Sequence, residues 1–192
     1  MRISALLLTV SMVAGTAPAA LAEDGDRGRV FDAQLSGYHE VHFVAGPPAA
    51  LRGAVSTVAE GTFRAVLDAP AALIRYELSY AGLEGAVTQA HIHFGQARTV
   101  GGIVVWLCQT AGTPAPAAVA PLTPICPASG TVTGTITPLQ VLDVAGQGIV
   151  AQELDELVRA IRAGATYANV HSATFGPGEI RGQIHGGNGP GD

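Results

Sequence analysis

Apolar and polar residues alternate over many short segments of this chain, and this alternation restricts the chain to few kinds of fold. In residues 73–80 (LIRYELSY), every even-numbered position is apolar or aromatic, whereas the odd-numbered ones include Arg75, Glu77 and Ser79. Successive side chains of a strand point to opposite faces, so this alternation predicts strands with one buried and one solvated face. Strands of this kind are typical of antiparallel sheets.

Eight segments have strand character, and 25 glycines and 12 prolines supply turns between them. These segments are Val30–Gly37, Gly61–Asp68, Leu73–Tyr80, Val87–Phe94, Gly102–Cys108, Gly130–Thr137, Tyr167–Thr174 and Glu179–His185. Helices do not alternate with them, which excludes a parallel βαβ arrangement. We therefore predict an all-β fold, either an antiparallel β-sandwich or a flattened barrel of about eight strands.

One segment departs from the strand pattern. Leu154, Leu157, Val158 and Ile161 recur at positions i, i+3, i+4 and i+7, which places them on one apolar helix face. The pattern predicts one short helical connection over Gln152–Ala163.

Residues 1–22 have the pattern of a secretory signal peptide. After one arginine, the apolar stretch Ala5–Val13 precedes the small residues of a cleavage site, Ala20-Leu21-Ala22. The alternative is a retained membrane anchor, for which the apolar stretch is short. We expect a single β domain over residues 23–185, a flexible glycine-rich tail over 186–192, and a secreted or periplasmic location without membrane contact once the signal is cleaved.

The expected mature chain contains two cysteines, Cys108 and Cys126, 18 positions apart. An even pair in an exported protein most simply forms one disulfide. The alternative, a metal-binding pair, is disfavoured by the wide spacing and by the absence of a nearby histidine.

The charge of the chain excludes several classes of partner and chemistry. The formal net charge is −5, and all ten basic residues are arginines. A negative chain is a poor partner for nucleic acid or an anionic membrane. The absence of lysine excludes Schiff-base chemistry and a Walker-type phosphate loop. A protein partner is left open by these observations.

The strongest chemical signal is the His-x-His pair formed by His91 and His93 in a predicted strand. Positions i and i+2 share a face, so both imidazoles project to the same side. Neutral imidazole nitrogens suit copper or zinc. The alternative is a hydrogen-bonding role at the surface.

A second predicted strand places Tyr167, Asn169 and His171 on one face. A third imidazole beside the His-x-His pair would complete a three-histidine site and leave one coordination position open. The alternative is that His171 hydrogen-bonds Asn169 or a backbone carbonyl. Sequence alone does not place the two strands side by side.

Other polar residues are weaker candidates. His42 and His185 are possible auxiliary metal ligands, whereas His39 points away from His42 on a strand and has a structural role. Glu179 and Arg181 share a face of the last strand, where an arginine beside a metal holds an anion. An ordinary Glu–Arg ion pair is the alternative.

Taken together, several motifs resemble the chordin-type (CHRD) domain family. They are Leu35-Ser36-Gly37 with Glu40-Val41, Ala90-His91-Ile92-His93, Gly102–Cys108 (GIVVWLC), Gly134–Thr137, Ile161–His171 (IRAGATYANVH) and Gly178–Gln183 (GEIRGQ). The resemblance spans Val30 to Ile184 and implies an exported all-β domain, as in bacterial secreted proteins and animal chordin. It implies no established enzymatic activity. Members usually have prolines soon after the Glu-Val pair, where this chain has His42-Phe43.

The chain is also distantly similar to Cu/Zn superoxide dismutase, chiefly at His91–Gly95. A second, zinc-type cluster of His and Asp is not evident, which argues against a two-metal dismutase site. We therefore expect an exported protein that binds a transition metal, copper before zinc, through a three-histidine surface site. The alternatives are a copper-dependent redox enzyme and a metal-free protein interaction module.

Overall fold

The computed structural model describes residues 29–41, 43–44, 50–51, 53–70 and 72–186, and β-strands dominate them. The strands are β1 (Val30–Ser36), β2 (Phe43–Val44), β3 (Ala50–Leu51), β4 (Glu60–Asp68), β5 (Leu73–Ala81), β6 (Val87–Phe94), β7 (Gly102–Cys108), β8 (Gly130–Ile136), β9 (Thr166–Ser172), β10 (Ile180–Gln183) and β11 (His185–Gly186). In this part of the chain one α-helix, α1, spans Leu154–Arg162. The predicted all-β class with one helical connection is confirmed.

The last predicted strand is divided in two. Its first part, β10, pairs with β9, and its second part, β11, pairs with β1 so that His185 lies opposite Asp32. Strand structure therefore includes Gly186, the first residue of the expected flexible tail. The short strands β2 and β3 pair with each other and were not predicted, because two residues are too few for an alternation to be recognised.

The long strands form one antiparallel sheet in the order β7-β6-β9-β10-β1-β4-β5-β8. The sheet curls until its two end strands approach each other, which gives a nearly closed barrel. The Tyr76 hydroxyl of β5 donates a hydrogen bond to the Leu107 carbonyl of β7 at 2.6 Å and so crosses the opening. Gly134 of β8 leaves room for this side chain, since a Cβ there would overlap the Tyr76 hydroxyl.

Apolar side chains from every long strand fill the interior. Phe31, Phe63, Ile74, Leu78, Ile92 and Leu107 are among those fully buried. The apolar face of α1, including Leu157 and Ile161, joins the same core. This packing is what the alternation in the sequence predicts for one face of each strand.

The opposite face of β6, β9 and β10 is polar but also buried, which the alternation did not predict. All seven residues of β9 are buried. Two segments cover this region. Residues 95–101 fold over the ends of β6 and β9, and the segment after β7 packs Ala115 and Val119 against Trp106. The polar groups of three neighbouring strands therefore lie inside the protein.

The predicted disulfide joins Cys108 to Cys126 and is confirmed. It closes the proline-rich segment 109–125 at the end of β7. Gln109 organises this segment from within: its side-chain amide nitrogen donates to the carbonyls of Ala120 and Thr123, and its amide oxygen accepts from the Ala115 N–H. A buried polar side chain with satisfied donors and acceptors holds a loop that has little regular structure.

None of the helices in the described part of the chain has the length and apolar character needed to cross a bilayer. The proposed signal peptide (residues 1–22) and the rest of the tail (187–192) lie outside the described residues.

Candidate metal centre

The three predicted histidine ligands lie on two neighbouring strands. His91 and His93 are in β6, and His171 is in β9. The register places His91 opposite Asn169 and Gln89 opposite His171, so His171 is a diagonal neighbour of His91 on the same face. Diagonal neighbours lie within reach of long side chains. Antiparallel pairing of β6 with β9 is therefore what brings a distant part of the sequence to the His-x-His pair.

The three imidazoles lie close together. One ring nitrogen from each of His91, His93 and His171 can be chosen so that all three lie within 4.8 Å of one another. Nδ1 of His91 is 3.1 Å from Nε2 of His171. These three residues could hold a metal ion.

The cluster is buried, so our expectation of a surface site is wrong in that respect. The relative exposure of His91 is 0%, of His93 8% and of His171 5%. The Trp106 ring packs edge-on against His91 with their centroids 4.3 Å apart. Because Trp106 is itself covered by the disulfide-closed segment, the segment from 109 to 125 shields the cluster from one side.

Backbone carbonyls fix the tautomers of two of the rings. The Nδ1–H of His171 donates to the Gly176 carbonyl at 2.8 Å, and that of His93 donates to the Gly101 carbonyl at 2.9 Å. Each neutral ring therefore carries its lone pair on Nε2. The lone pair of His171 accepts from Nδ1–H of His91, which in turn leaves the His91 lone pair on Nε2.

Two of these nitrogens lack partners. Nε2 of His91 and Nε2 of His93 are buried, and neither has a hydrogen-bond partner within the described residues. A buried polar atom without a partner costs about 1–3 kcal/mol, so such atoms are rare unless they have a function.

Burial keeps the rings of His91 and His93 neutral. Burial lowers the pKa of His93 to about 4, with smaller contributions from His171 and Arg181, while its hydrogen bond to the Gly101 carbonyl opposes the shift. Burial likewise lowers the pKa of His91 well below its ordinary value, and His171 and His93 add to the effect. Neutral imidazoles are the form that ligates a metal.

Tyr167 and Arg181 form a stack on the far side of His93. The Tyr167 ring lies parallel to the His93 ring with centroids 4.7 Å apart, and the Arg181 guanidinium carbon lies 3.3 Å from the Tyr167 centroid. The terminal nitrogens of Arg181 donate to the carbonyls of Thr99 and Gln96. Arg181 is 2% exposed, so this arginine supports the site from within.

Asn169 and Glu179 have separate partners. The Asn169 amide donates to the Glu40 carboxylate at 2.5 Å and to the Ile180 carbonyl at 3.1 Å. One Glu179 carboxylate oxygen accepts from the Thr57 hydroxyl and from the Glu84 N–H, both at 2.8 Å. Asn169 thus lies beside the cluster. Glu179 instead connects the segments that contain Thr57 and Glu84 to the start of β10.

Of the other candidate histidines, the structure describes His39 and His185, and neither is part of the three-residue cluster. His185 lies in β11, and β11 pairs with β1, which β10 separates from β9. His39 is exposed in a short 3-10 helix, Gly37–His39. His42 falls outside the described residues.

The sequence did not reveal the groups that surround the three histidines. Trp106 could have been found, because it lies in the strand that follows the His-x-His strand and hairpin neighbours share a face. The carbonyls of Gly101 and Gly176 carry no side-chain signal, so only the folded backbone identifies them as partners of His93 and His171.

These features define a nearly closed antiparallel β-barrel domain with a buried histidine cluster on the outer face of its sheet. The CHRD domain family model matches residues 31–184, and the chain belongs to that family. No curated protein and no solved structure gave a significant match. The similarity to superoxide dismutase expected from His91–Gly95 is not shown by these comparisons.

Proposed function

We propose that this CHRD-domain protein is exported and binds one transition-metal ion, copper before zinc, through His91, His93 and His171. The observation that carries the proposal is the pair of buried Nε2 atoms of His91 and His93 without hydrogen-bond partners in the described chain. A metal ion at the cluster would give both lone pairs a partner. It would thereby turn an unfavourable feature of the metal-free protein into a source of binding energy.

One of the distances fits a shared ion as it stands, whereas the three nitrogens, which span up to 4.8 Å, would have to move closer together on binding. Nitrogen ligands about 2.0–2.1 Å from a metal are about 2.9–3.4 Å apart when the angle at the metal lies between 90° and the tetrahedral value. The 3.1 Å separation of His91 Nδ1 and His171 Nε2 falls in this range. Coordination through that atom requires the His91 proton to move from Nδ1 to Nε2, whereas coordination through Nε2 leaves the proton on Nδ1. In both cases His171 gives its Nε2 lone pair to the ion instead of accepting from His91.

The ligand chemistry favours copper. Divalent copper binds nitrogen ligands more tightly than zinc does. Both cysteines are joined in a disulfide, and the two methionines are Met1 and Met12, within the proposed signal peptide. The mature chain thus offers imidazoles without thiolates or thioethers. Export is supported by the signal-peptide pattern of residues 1–22 and by the disulfide, which is typical of oxidising compartments.

Fluorescence of Trp106 provides a local test, because it is the one tryptophan in the chain and lies against His91. Titration of the metal-free protein with Cu²⁺ is expected to quench this emission with an endpoint of one ion per chain. Zn²⁺ is expected to bind at the same stoichiometry, more weakly and without paramagnetic quenching. A competition titration then ranks the two ions.

Alanine variants assign the ligands. His91→Ala, His93→Ala and His171→Ala should each weaken copper binding by more than the roughly 10–100-fold that loss of a supporting residue costs. The matched control is His39→Ala, since His39 is exposed and lies in another element. Unchanged affinity in His171→Ala, or no stoichiometric binding by the parent protein, would contradict the proposal and favour a metal-free interaction module.

Burial favours binding over turnover. With all three rings at most 8% exposed, a dissolved substrate has little access to an ion between them. We expect the copper-loaded protein to show no superoxide dismutation above that of its alanine variants. Activity that disappears in His93→Ala would instead favour the redox enzyme.

A further inference from the structure

The loop of residues 95–101 contacts the candidate metal centre through its backbone. Its side chains at positions 96–100 are exposed, so apolar burial does not hold it in place. Its polar backbone atoms are directed inward instead. The Gly101 carbonyl accepts from His93, and the Gly101 N–H donates to the Tyr167 hydroxyl at 3.2 Å. The position of this loop therefore determines how the His93 ring is held.

Arg181 fixes the middle of the loop. One terminal nitrogen donates to the Thr99 carbonyl at 2.6 Å and the other to the Gln96 carbonyl at 3.0 Å. A planar guanidinium presents two donors in a fixed fork, which an ammonium group cannot reproduce. Burying a cation is unfavourable without such partners, so the loop and Arg181 stabilise each other.

The same guanidinium is coupled to a metal ligand through the rings. Arg181 lies over the Tyr167 ring, and His93, which belongs to the strand on the other side of β9 from Arg181, stacks on the same ring with an interplanar angle of 3°. His93 is consequently held at its ring face by Tyr167 and at Nδ1 by Gly101. Both contacts depend on groups that Arg181 positions.

We propose that Arg181 is a positioning residue that fastens the 95–101 loop over His93 and thereby sets how fast the bound metal ion is released. This inference rests on the proposed function. It adds that Arg181 and the 95–101 loop control how long the ion stays bound. Release requires His93 to turn away from the ion. It can do so once the loop withdraws the Gly101 carbonyl and the Arg181–Tyr167 stack loosens.

The test compares Arg181→Lys with Arg159→Lys as a matched control. Arg159 lies in α1, and its side chain is 62% exposed. Each protein is loaded with Cu²⁺ and mixed with excess EDTA, and recovery of Trp106 fluorescence gives the release rate. We expect release to be about 10-fold faster or more in Arg181→Lys, as for other residues that support metal ligands, and to be unchanged in Arg159→Lys. A rate equal to that of the parent in folded Arg181→Lys overturns the inference.

Amide hydrogen exchange measured by mass spectrometry gives a second test that needs no variant. Loading the parent protein with Zn²⁺ should slow exchange in the 95–101 loop, because the ion restrains His93 and His93 restrains Gly101. Exchange in α1 should stay the same. A loop whose exchange is insensitive to the ion overturns the inference even if Arg181→Lys does not fold.

The two proposals fail in different ways. If the parent protein binds no ion, the proposed function is wrong and metal release has no meaning. A different result is that the protein binds one ion per chain while the Arg181→Lys substitution changes neither the rate of metal release nor amide exchange in the 95–101 loop. In that case the proposed function stands and the positioning role is wrong. A comparison in metal-free protein tests the contact between Arg181 and the loop without any ion. If Arg181 holds the loop in place, amide hydrogen exchange in residues 95–101 should be faster in Arg181→Lys than in Arg159→Lys.

Discussion

At the scale of single residues, the protonation of His93 links the candidate site to folding stability. Its ring is nearly buried, and burial lowers its pKa to about 4. In the unfolded chain the ordinary value of about 6.5 applies. Between these values the unfolded chain binds a proton that the folded protein does not, so the free energy of unfolding falls as the pH falls.

We therefore predict that metal-free protein loses stability on acidification. From pH 7.5 to pH 5, His93 alone contributes a loss of about 2 kcal/mol, and His91, whose pKa is also lowered by burial, contributes in the same direction. Urea unfolding in the presence of EDTA at the two pH values measures the change.

Two glutamine variants serve as controls for this prediction. His93→Gln should show a smaller loss on acidification, because glutamine does not titrate, whereas exposed His39→Gln should behave like the parent protein. Equal pH dependence in His93→Gln and the parent would contradict the assignment of the effect to His93.

The sequence predicted which three histidines could form a cluster, but not what surrounds them. His91 and His93 follow from strand periodicity alone, and His171 from the polar face that it shares with Tyr167 and Asn169. Burial of the cluster was not predictable. It depends on residues 95–101 and 109–125, whose irregular backbone carries no periodic signal that would show where they pack.

At the scale of elements, the position of β9 between β6 and β10 creates the site. β9 carries His171 to β6 on one side and places Asn169 opposite Arg181 of β10 on the other. Strand bounds followed from alternation, and seven of the eight predicted segments agree with the structure to within two residues. Strand order did not follow, because β6 and β9 are far apart in the sequence and nothing local encodes their pairing.

The segment from 109 to 125 is held at its ends by the Cys108–Cys126 disulfide. We predict that removal of this cross-link destabilises the fold and exposes Trp106. Cys108→Ala combined with Cys126→Ala removes a cross-link between positions 18 apart, which corresponds to about 3 kcal/mol in the chain-entropy model. Ala115 and Val119 should then pack less tightly on Trp106, so its emission should shift to longer wavelength. Urea unfolding and an emission spectrum measure the two effects.

Reduction of the parent protein with dithiothreitol provides the comparison for the double variant. It should reproduce both the loss of stability and the spectral shift if the cross-link is their cause. Retention of the parent stability in the reduced protein and in the double variant would mean that Gln109 and its hydrogen bonds hold the segment without the disulfide.

At the scale of the whole molecule, closure of the barrel depends on side chains. The sheet runs from β7 to β8, and the Tyr76 hydroxyl of β5 donates to the Leu107 carbonyl of β7 across the opening. The Tyr80 hydroxyl of β5 donates to the Pro127 carbonyl in the segment that precedes β8. The sequence left sandwich and flattened barrel as alternatives, since periodicity assigns faces to strands but does not reveal contacts between the first and last strands of a sheet. The sequence pattern places Tyr76 and Tyr80 on the inward face of β5, but it does not indicate which carbonyls their hydroxyls contact.

We predict that Tyr76→Phe lowers the free energy of unfolding by about 1–2 kcal/mol, because the hydroxyl's hydrogen bond to a buried carbonyl is lost while the ring still fills its space. Burial raises the pKa of Tyr76, so the hydroxyl stays a donor across the pH range of the assay. Tyr38→Phe is the matched control, since Tyr38 is 70% exposed and should change stability by less than about 0.5 kcal/mol. If urea unfolding shows equal stabilities for the two variants, the Tyr76 hydroxyl does not close the barrel.

Loss of closure should also affect β7, where Trp106 lies against His91. A shift of Trp106 emission in Tyr76→Phe would therefore show that closure of the barrel helps to shape the candidate metal centre.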